Sequence, residues 1–401
     1  MAQRTANELL LDALIRHQTY LLRYSSGVRN QVNALLDRSE PDVVRLIGDK
    51  LRDGEGLTSA SNVRRLEAVL EGIRGIRGRA WNEAGDFLLE QMQDLGYHEP
   101  IFMQGILGTV APVIVTTVLP SARTLRAIAT SKPFEGRVLK EWAATMEAED
   151  IRRMHAAVQL GMVAGESNAA IARRLVGTDG LNGADGVTQM TRRQVEAITR
   201  TAVNHVSNAA RDEFMRENVD IILSETYVAT LDARTTMVCK AHDGQIFPVG
   251  TGPRPPLHFN CRSLRVATLD GEALAGRPYK ASTTKQLLRE YADKNGLDRV
   301  STRDALPRGS KGNYDEWARK RVRELTGQVP ASTSYQVWLK AQTRTFQEDT
   351  LGITKAKLFR DGGLKLDKFV AANGTELTLG QLAAKHASAF RAAGLDPKDF
   401  I

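Results

Sequence analysis

Leu231-Asp-Ala-Arg-Thr-Thr-Met-Val-Cys239-Lys-Ala-His242-Asp-Gly244, followed by Pro255-Pro-Leu-His258-Phe-Asn-Cys261-Arg-Ser263, decides how this chain is read. Both cysteines of the 401-residue chain and two of its seven histidines fall inside it. Cys239-x2-His242 and His258-x2-Cys261 form two knuckle-like pairs, and thiolate and imidazole at that spacing can close a tetrahedral zinc site. The alternative is that the cysteines are small buried hydrophobes and the histidines only hydrogen-bond. The spacing leaves both open. Asp243-Gly244 is a hairpin signal. Pro253 to Pro256 fixes an extended approach, and Asn260 tolerates a left-handed turn before Cys261. Asp232 is placed to hold Arg234 or Arg262 in a bidentate pair, unless both arginines are simply exposed. The stretch therefore reads as a small β-rich module tied down by polar contacts.

Upstream, the chain reads as helix. In 5–38, Leu10, Leu14, Leu21, Val28, Val32 and Leu35 fall near one face. Ser39-Glu40-Pro41 breaks that helix, and Pro41 suits the first turn of the next. Gly54-Glu55-Gly56 is a turn. Helical spacing returns in 60–74 and 79–95, with Gly96 as a C-terminal cap. Ile106–Leu119, rich in Val, Ile and Thr, reads as a buried strand or an irregular apolar hairpin. Residues 133–175 are helical, with Ser167 as an N-cap, and the glycines from Gly177 to Gly186 mark a loop. A long helix from Thr191 to about Asn218 carries the stripe Val195, Ile198, Ala202, Val206 and Ala209.

The pattern changes at about residue 219. Tyr227, Val228 and Thr230 suit a strand, and Leu264–Val266 suits another. After Gly271 the chain is expected to be basic, turn-rich and loosely packed up to Tyr314. Helices follow at about 314–326, 334–349 and 376–393. The fold class is thus α+β. A mainly helical N-terminal half (1–132 as its first region) precedes a small mixed α/β module within 133–270, and an extended basic C-terminal region covers 271–401.

Formal net charge is +8. Between Glu272 and Thr345 there are 15 Lys and Arg against 8 Asp and Glu, which concentrates nearly all of that surplus in one region. A basic surface favours an anionic partner such as packaged DNA or an acidic neighbour, although solvated basic faces are common. Arg319, Lys320, Arg321 and Arg323 occupy most of one helical turn and are the candidate phosphate contacts. Two cysteines in a chain this long do not make a disulfide scaffold. The opening MAQRTANELLLDALIRHQ lacks the pattern of a signal peptide. Ile106–Leu119 is too short and too interrupted by Pro112 to span a bilayer. Synthesis in a reducing cytoplasm, with no membrane partner, is the expectation.

The run T-L-D-A-R-T-T-x-x-C-x-x-x-D-G, followed by P-P-L-H-x-N-C-R-S, resembles the signature of the Mu F-like minor head protein family of tailed phages. Its motif positions here are Asp232, Arg234, Thr235, Asp243, Gly244, Pro256, Asn260 and Arg262. Upstream, Gly161-Met-Val-Ala-Gly165-Glu-Ser and Glu196-Ala-Ile-Thr-Arg200-Thr201-Ala-Val-Asn204 are similar to the family's preceding helices. Tyr335-Gln-Val-Trp338-Leu339, Phe346–Gly352 and Leu377-Thr-Leu379 are similar to its closing segment. The resemblance spans about 135–385. Many members carry a Cys-x-x-Cys pair beginning where Thr236 stands, and here only Cys239 remains of it. A metal site would then need His242.

The resemblance implies a low-copy structural protein of the virion, inside the head near the portal vertex, that acts in head assembly and in genome packaging or delivery, including DNA ejection. Its implied partners are the portal protein, the major capsid or scaffold protein, and packaged DNA. It does not imply an enzyme. Three other readings stand beside it: a zinc-knuckle DNA-binding protein, a metal-dependent nuclease, and an ADP-ribosyltransferase-like enzyme. The last requires a Glu-x-Glu turn near the C-terminus, and the chain has only Glu147-Ala148-Glu149, upstream on an expected helix.

Overall fold

The computed structural model describes residues 5–57, 59–110, 116–181, 183–269, 277–297, 300, 302–329, 333–372 and 374–401. Helices dominate them. Helix α1 (Ala6–Asp37) opens on a capping box, in which Glu8 N–H donates to Thr5 Oγ1 and Thr5 N–H donates to Glu8 Oε2. Its buried stripe is the expected one, ending on Leu36 rather than Leu35. Helix α2 (Glu40–Lys50) starts with Pro41 in its first turn. Then come α3 (Ala60–Val110), α4 (Ala122–Ser131), α5 (Leu139–Val163), α6 (Asn168–Val176) and α7 (Thr188–Glu217). Ser167 caps α6 by accepting from Ala170 N–H.

Helix α3 corrects the expectation of two helices ending at Gly96. It runs 51 residues without a break, roughly 75 Å at about 1.5 Å per residue. The apolar stripe explains why, because Leu88, Met92, Leu95, Met103 and Leu107 are all buried across the supposed cap. Gly96 is a contact residue: a Cβ there would lie 3.4 Å from the Leu125 carbonyl oxygen and 3.6 Å from Val206. Those are ordinary van der Waals distances, so Gly96 sits inside a packed helix that simply continues through it. The expected strand or hairpin at Ile106–Leu119 is also corrected. Residues 106–110 finish α3, 111–115 lie outside the described residues, and 116–119 form no regular element. Val118 is held by Asn218, whose Oδ1 accepts from Val118 N–H and whose Nδ2 donates to Val118 O.

Beyond α7 the chain forms β1 (Ser224–Val228), β2 (Leu231–Asp232), α8 (Met237–His242), β3 (Ile246–Phe247) and β4 (Leu264–Thr268). Strand β1 lies between β3 and β4, antiparallel to both, with Tyr227 opposite Arg265 and Thr226 opposite Ile246. The expected mixed module is thus present from about residue 219. Then follow β5 (Arg277–Lys280), α9 (Thr284–Lys294), α10 (Lys311–Glu324), β6 (Thr326–Val329), α11 (Tyr335–Lys340), α12 (Arg344–Leu351), α13 (Ile353–Arg360), α14 (Leu379–Lys385) and α15 (Ala387–Ala392). β5 joins β2 in parallel and β6 antiparallel. The region before Tyr314 is not loosely packed where it is described, since Leu287, Leu288, Tyr291, Leu306 and Tyr314 form an apolar cluster of their own.

The largest apolar cluster draws on α1, α3, α4, α5 and α7. A second joins Leu231 and Met237 of the β-rich module to Tyr335, Trp338, Phe346, Phe369 and Phe390. Inside the helical part, Asp150 accepts from Arg77 Nε, Trp81 Nε1 and Thr191 Oγ1 at 2.8, 2.9 and 2.6 Å. Arg77 also donates to Leu36 O and Ser39 Oγ, so one buried ion pair fixes α3, α5, α7 and the α1–α2 elbow together. Among the described residues no helix is long and apolar enough to cross a membrane.

Candidate functional site

Helix α7 positions the site. Every residue from Thr201 to Asp212 is buried, although only one face of that helix is apolar. The polar face is covered by the β-rich module and hydrogen-bonds to it. Asn260, in the left-handed conformation at φ 60°, donates its N–H to Thr201 Oγ1 at 2.9 Å and accepts from Arg200 Nη1 at 3.1 Å. Asn204 Nδ2 donates to Ser263 O at 3.2 Å, and Asn208 Oδ1 accepts from Arg265 N–H at 3.4 Å. Sequence reasoning found the apolar stripe of α7 and missed this face, whose Thr, Asn and Arg residues resemble a solvated surface.

Asp232 selects Arg262. The two guanidinium nitrogens donate to its two oxygens at 2.6 and 2.7 Å, while Arg234 is 3.7 Å away with its side chain 82% exposed. Asp232 also accepts from the N–H groups of Arg234 and Thr235. Burial alone would raise its pKa; the Arg262 hydrogen bonds and charge outweigh that and hold it below the ordinary value. Thr235 Oγ1 donates to Thr230 O. Asp243 ties two distant segments, accepting from Ala229 N–H at 2.8 Å and from Tyr335 N–H at 2.7 Å.

The Asp243-Gly244 hairpin is a correction. Residues 237–242 coil into α8, so the turn joins a helix to β3 instead of joining two strands. Asp243 is the helix C-cap, and Gly244 follows at φ 77°, where a Cβ would be strained. The Pro255–Pro256 peptide is cis.

Three of the four expected ligands come together. The side-chain ligand atoms of Cys239, His258 and Cys261 lie within 4.8 Å of one another. Cys239 Sγ is 3.8 Å from Cys261 Sγ and 3.3 Å from His258 Nε2. His242 is not part of the cluster. It ends α8, its Nδ1 is engaged by Gln245 Oε1 at 3.1 Å, and its ring leans on Tyr227. Tyr227, which the sequence reading used only as a strand former, donates its hydroxyl to Cys239 Sγ at 3.2 Å. His258 is oriented from its other side by Phe259 O, 2.8 Å from Nδ1.

The two sulfurs share their protons unequally. Hydrogen bonding from Cys261, then from His258, Ser263 and Tyr227, pushes the Cys239 thiol well down against the opposing effect of burial. The hydrogen bond to Cys239 and burial push Cys261 well up. For His258, burial favours the neutral ring, but the Cys239 hydrogen bond and charge outweigh it and raise the pKa.

These residues fit zinc. Bonds of about 2.3 Å to sulfur and 2.0 Å to nitrogen in a tetrahedron separate two sulfurs by roughly 3.8 Å, and sulfur from nitrogen by roughly 3.5 Å. Thr236, at the position of the family's additional cysteine, has a buried hydroxyl with no hydrogen-bond partner. Among the described residues no fourth Cys, His, Asp or Glu joins the three. Bound zinc would supply cross-linking of α8 to the start of β4. As a free nucleophile Cys239 is badly placed, being only 1% exposed.

On α10, Arg319, Lys320 and Arg323 are exposed beside Trp317 and Asn313. Arg321 departs from the expected set: it pairs with Glu290 at 2.8 Å and Glu324 at 2.9 Å.

Searches among curated proteins and solved structures gave no match. Residues 152–265, from within α5 into β4, match the family model described as Phage Mu protein F like protein, a narrower span than the resemblance read from the sequence. The matched span holds both the polar face of α7 and the cysteine–histidine cluster that it supports, and over residues 152–265 the chain is similar to the Phage Mu protein F like family.

Proposed function

We propose that this protein is a low-copy minor head protein that sits inside the virion near the portal vertex and acts in head assembly, with a part in genome packaging or delivery. The observation that carries the reading is the Mu F-like match over 152–265. In this reading the module is the assembly element, and the long helices to which α7 bolts it form the arm that docks on the portal. Co-expression of the full chain with the portal protein of its phage tests this. The expected result is a complex that survives size-exclusion chromatography, together with the chain's presence in purified heads at a small fraction of the major capsid protein. A chain that neither co-elutes with the portal nor occurs in heads would overturn it.

A contact with packaged DNA is a second reading, favoured by the exposure of Arg319, Lys320 and Arg323 on one helix. Three phosphate contacts would give a binding slope near −3 against log salt. Replacing these three residues with Gln is expected to flatten that slope in filter binding; an unchanged slope would remove α10 as the contact.

A further inference from the structure

Helix α10 carries an aromatic ring among its free cations. Asn313, Trp317 and Lys320 recur at spacings of four and three residues and so share one face, and Arg323 and Arg319 carry that face round the helix away from the ring. Together with Glu316 they line an open cleft of about 600 Å³, within the size range of ligand pockets. Trp317 and Lys320 also border a second cleft, of about 340 Å³, on the side where Arg321 ties α10 to Glu290 of α9. The indole is thus the ridge between two clefts. It is half-buried and braced by the buried rings of Tyr291 and Tyr314, with centroids 5.4 and 6.4 Å away. Both rings are tilted to it, by 56° and 34°, so neither occupies a stacking position on the indole. Arg319 Nε donates to Asp315 O at 3.2 Å, and among the described residues Lys320 and Arg323 enter no ion pair.

We propose that this face of α10 binds single-stranded nucleic acid, with a base stacked on Trp317 and the phosphates held by Arg319, Lys320 and Arg323. The proposal rests on the DNA contact described above and goes further by naming the strand state. The cations alone do not choose that state, because phosphates are offered by single and double strands alike. The indole does. In a duplex each base face is covered by its neighbours, and a side chain reaches one only by unstacking a base step. A single strand presents its base faces at no such cost, and a ring already fixed by packing loses little freedom when a base settles on it. Asn313, exposed in the same cleft, offers an amide donor and acceptor to an unpaired base edge. Glu316, also exposed there, stands one turn before Lys320 and repels phosphate, which confines the strand's backbone to the 319–323 end of the cleft. Stacking accepts any base, so the site is expected to be tolerant of sequence.

The test measures binding of the full-length chain, by fluorescence anisotropy at low salt, to three labelled probes of equal length: oligothymidylate, an abasic strand with the same phosphates and no bases, and the oligothymidylate–oligoadenylate duplex. Oligothymidylate is expected to bind on the order of tenfold tighter than the abasic strand, and tighter than the duplex. That comparison uses the wild-type protein and depends on no variant's folding. Trp317→Leu keeps an apolar side chain against Tyr291 and Tyr314 and is expected to abolish the advantage of oligothymidylate while leaving the abasic strand's affinity unchanged. Equal affinity for oligothymidylate and the abasic strand, tighter binding of the duplex, or an advantage that survives Trp317→Leu would overturn the proposal and leave α10 as a plain phosphate contact. Failure of all three probes to bind would remove the DNA contact itself, and the proposal with it.

Discussion

Replacing Asp232 with Asn removes one charge while keeping the shape of the side chain. The carboxylate receives two charge-assisted bonds from Arg262, at 2.6 and 2.7 Å, and two backbone N–H bonds at 3.0 and 3.1 Å. Asn keeps one acceptor oxygen, so part of the turn survives, but the Arg262 guanidinium loses its counter-charge. Breaking a buried pair in this way costs about 3–5 kcal/mol. Here the side chains remain 10% and 12% exposed, and residual hydration lowers the expected cost to about 2–3 kcal/mol. A chain with several apolar clusters need not unfold as one unit, so the reporter should be local. Amide exchange of a peptide spanning 230–245, which contains the two N–H groups that Asp232 accepts, reads the opening of this turn. The cycle with Arg262→Gln should show a coupling of about 2 kcal/mol. The folded pKa of Asp232 is depressed. The stabilisation is therefore fully present above its unfolded value of about 3.9 and lost as pH falls through the lower folded value. The difference between wild type and D232N should be flat from about pH 5 to 8 and shrink in acid. A coupling below about 0.5 kcal/mol would refute the reasoning, because it would place the pair with ordinary exposed ion pairs.

Thr236→Cys is expected to bind one zinc per chain on the order of a hundredfold tighter than wild type, by supplying the fourth ligand of a closed site; competition with a chromophoric chelator that finds equal affinity would show that Thr236 does not face the cluster. Lys240 is buried, with its Nζ 3.4 Å from Thr350 O and over the ring of Tyr335, and burial lowers its pKa to about 8. The unfolded chain then binds more protons between about pH 8 and 10, so wild-type stability should rise with pH across that window relative to Lys240→Met. A melting-temperature difference between the two proteins that does not change with pH would contradict this.

What was legible in the sequence follows from which physical signals are local. The stripe of α1, the Pro41 entry to α2, the Ser167 cap and the left-handed Asn260 all depend on neighbours within a few residues, and each stands where the sequence places it. Gly96 was misread because a helix-ending glycine and a mid-helix glycine look identical in sequence; the buried stripe that continues from Leu95 to Met103 and Leu107 separates them. His242 was misread as a ligand because spacing places a residue along a helix but does not say which neighbour claims its ring. Gln245 and Tyr227 claim it here. Arg321 likewise looked equivalent to Arg319, Lys320 and Arg323 until Glu290, on a separate helix, came within 2.8 Å.

The signature motif itself has a structural explanation that needs no substrate. Asp232 binds Arg262 and its own turn, and Asp243 accepts from Ala229 and Tyr335. Asn260 joins Arg200 and Thr201, while Thr235 bonds back to Thr230. Each of these polar groups satisfies a group that would otherwise be buried without a partner, at a penalty of about 1–3 kcal/mol apiece. A module with two-residue strands such as β2 and β3 has little apolar area of its own to fix its shape. Side chains that each fit only one geometry can fix it instead. This is why the motif is scattered over the β2–α8 turn, the α8–β3 turn and the approach to β4: its members meet one another and α7 where those segments cross. The same contacts hold Cys239 and Cys261 within 3.8 Å of each other. Loosening Asp232–Arg262 should therefore lower zinc affinity, although neither residue touches a sulfur. A D232N chain that binds zinc as tightly as wild type, in competition with a chromophoric chelator, would separate the motif from the cysteine pair.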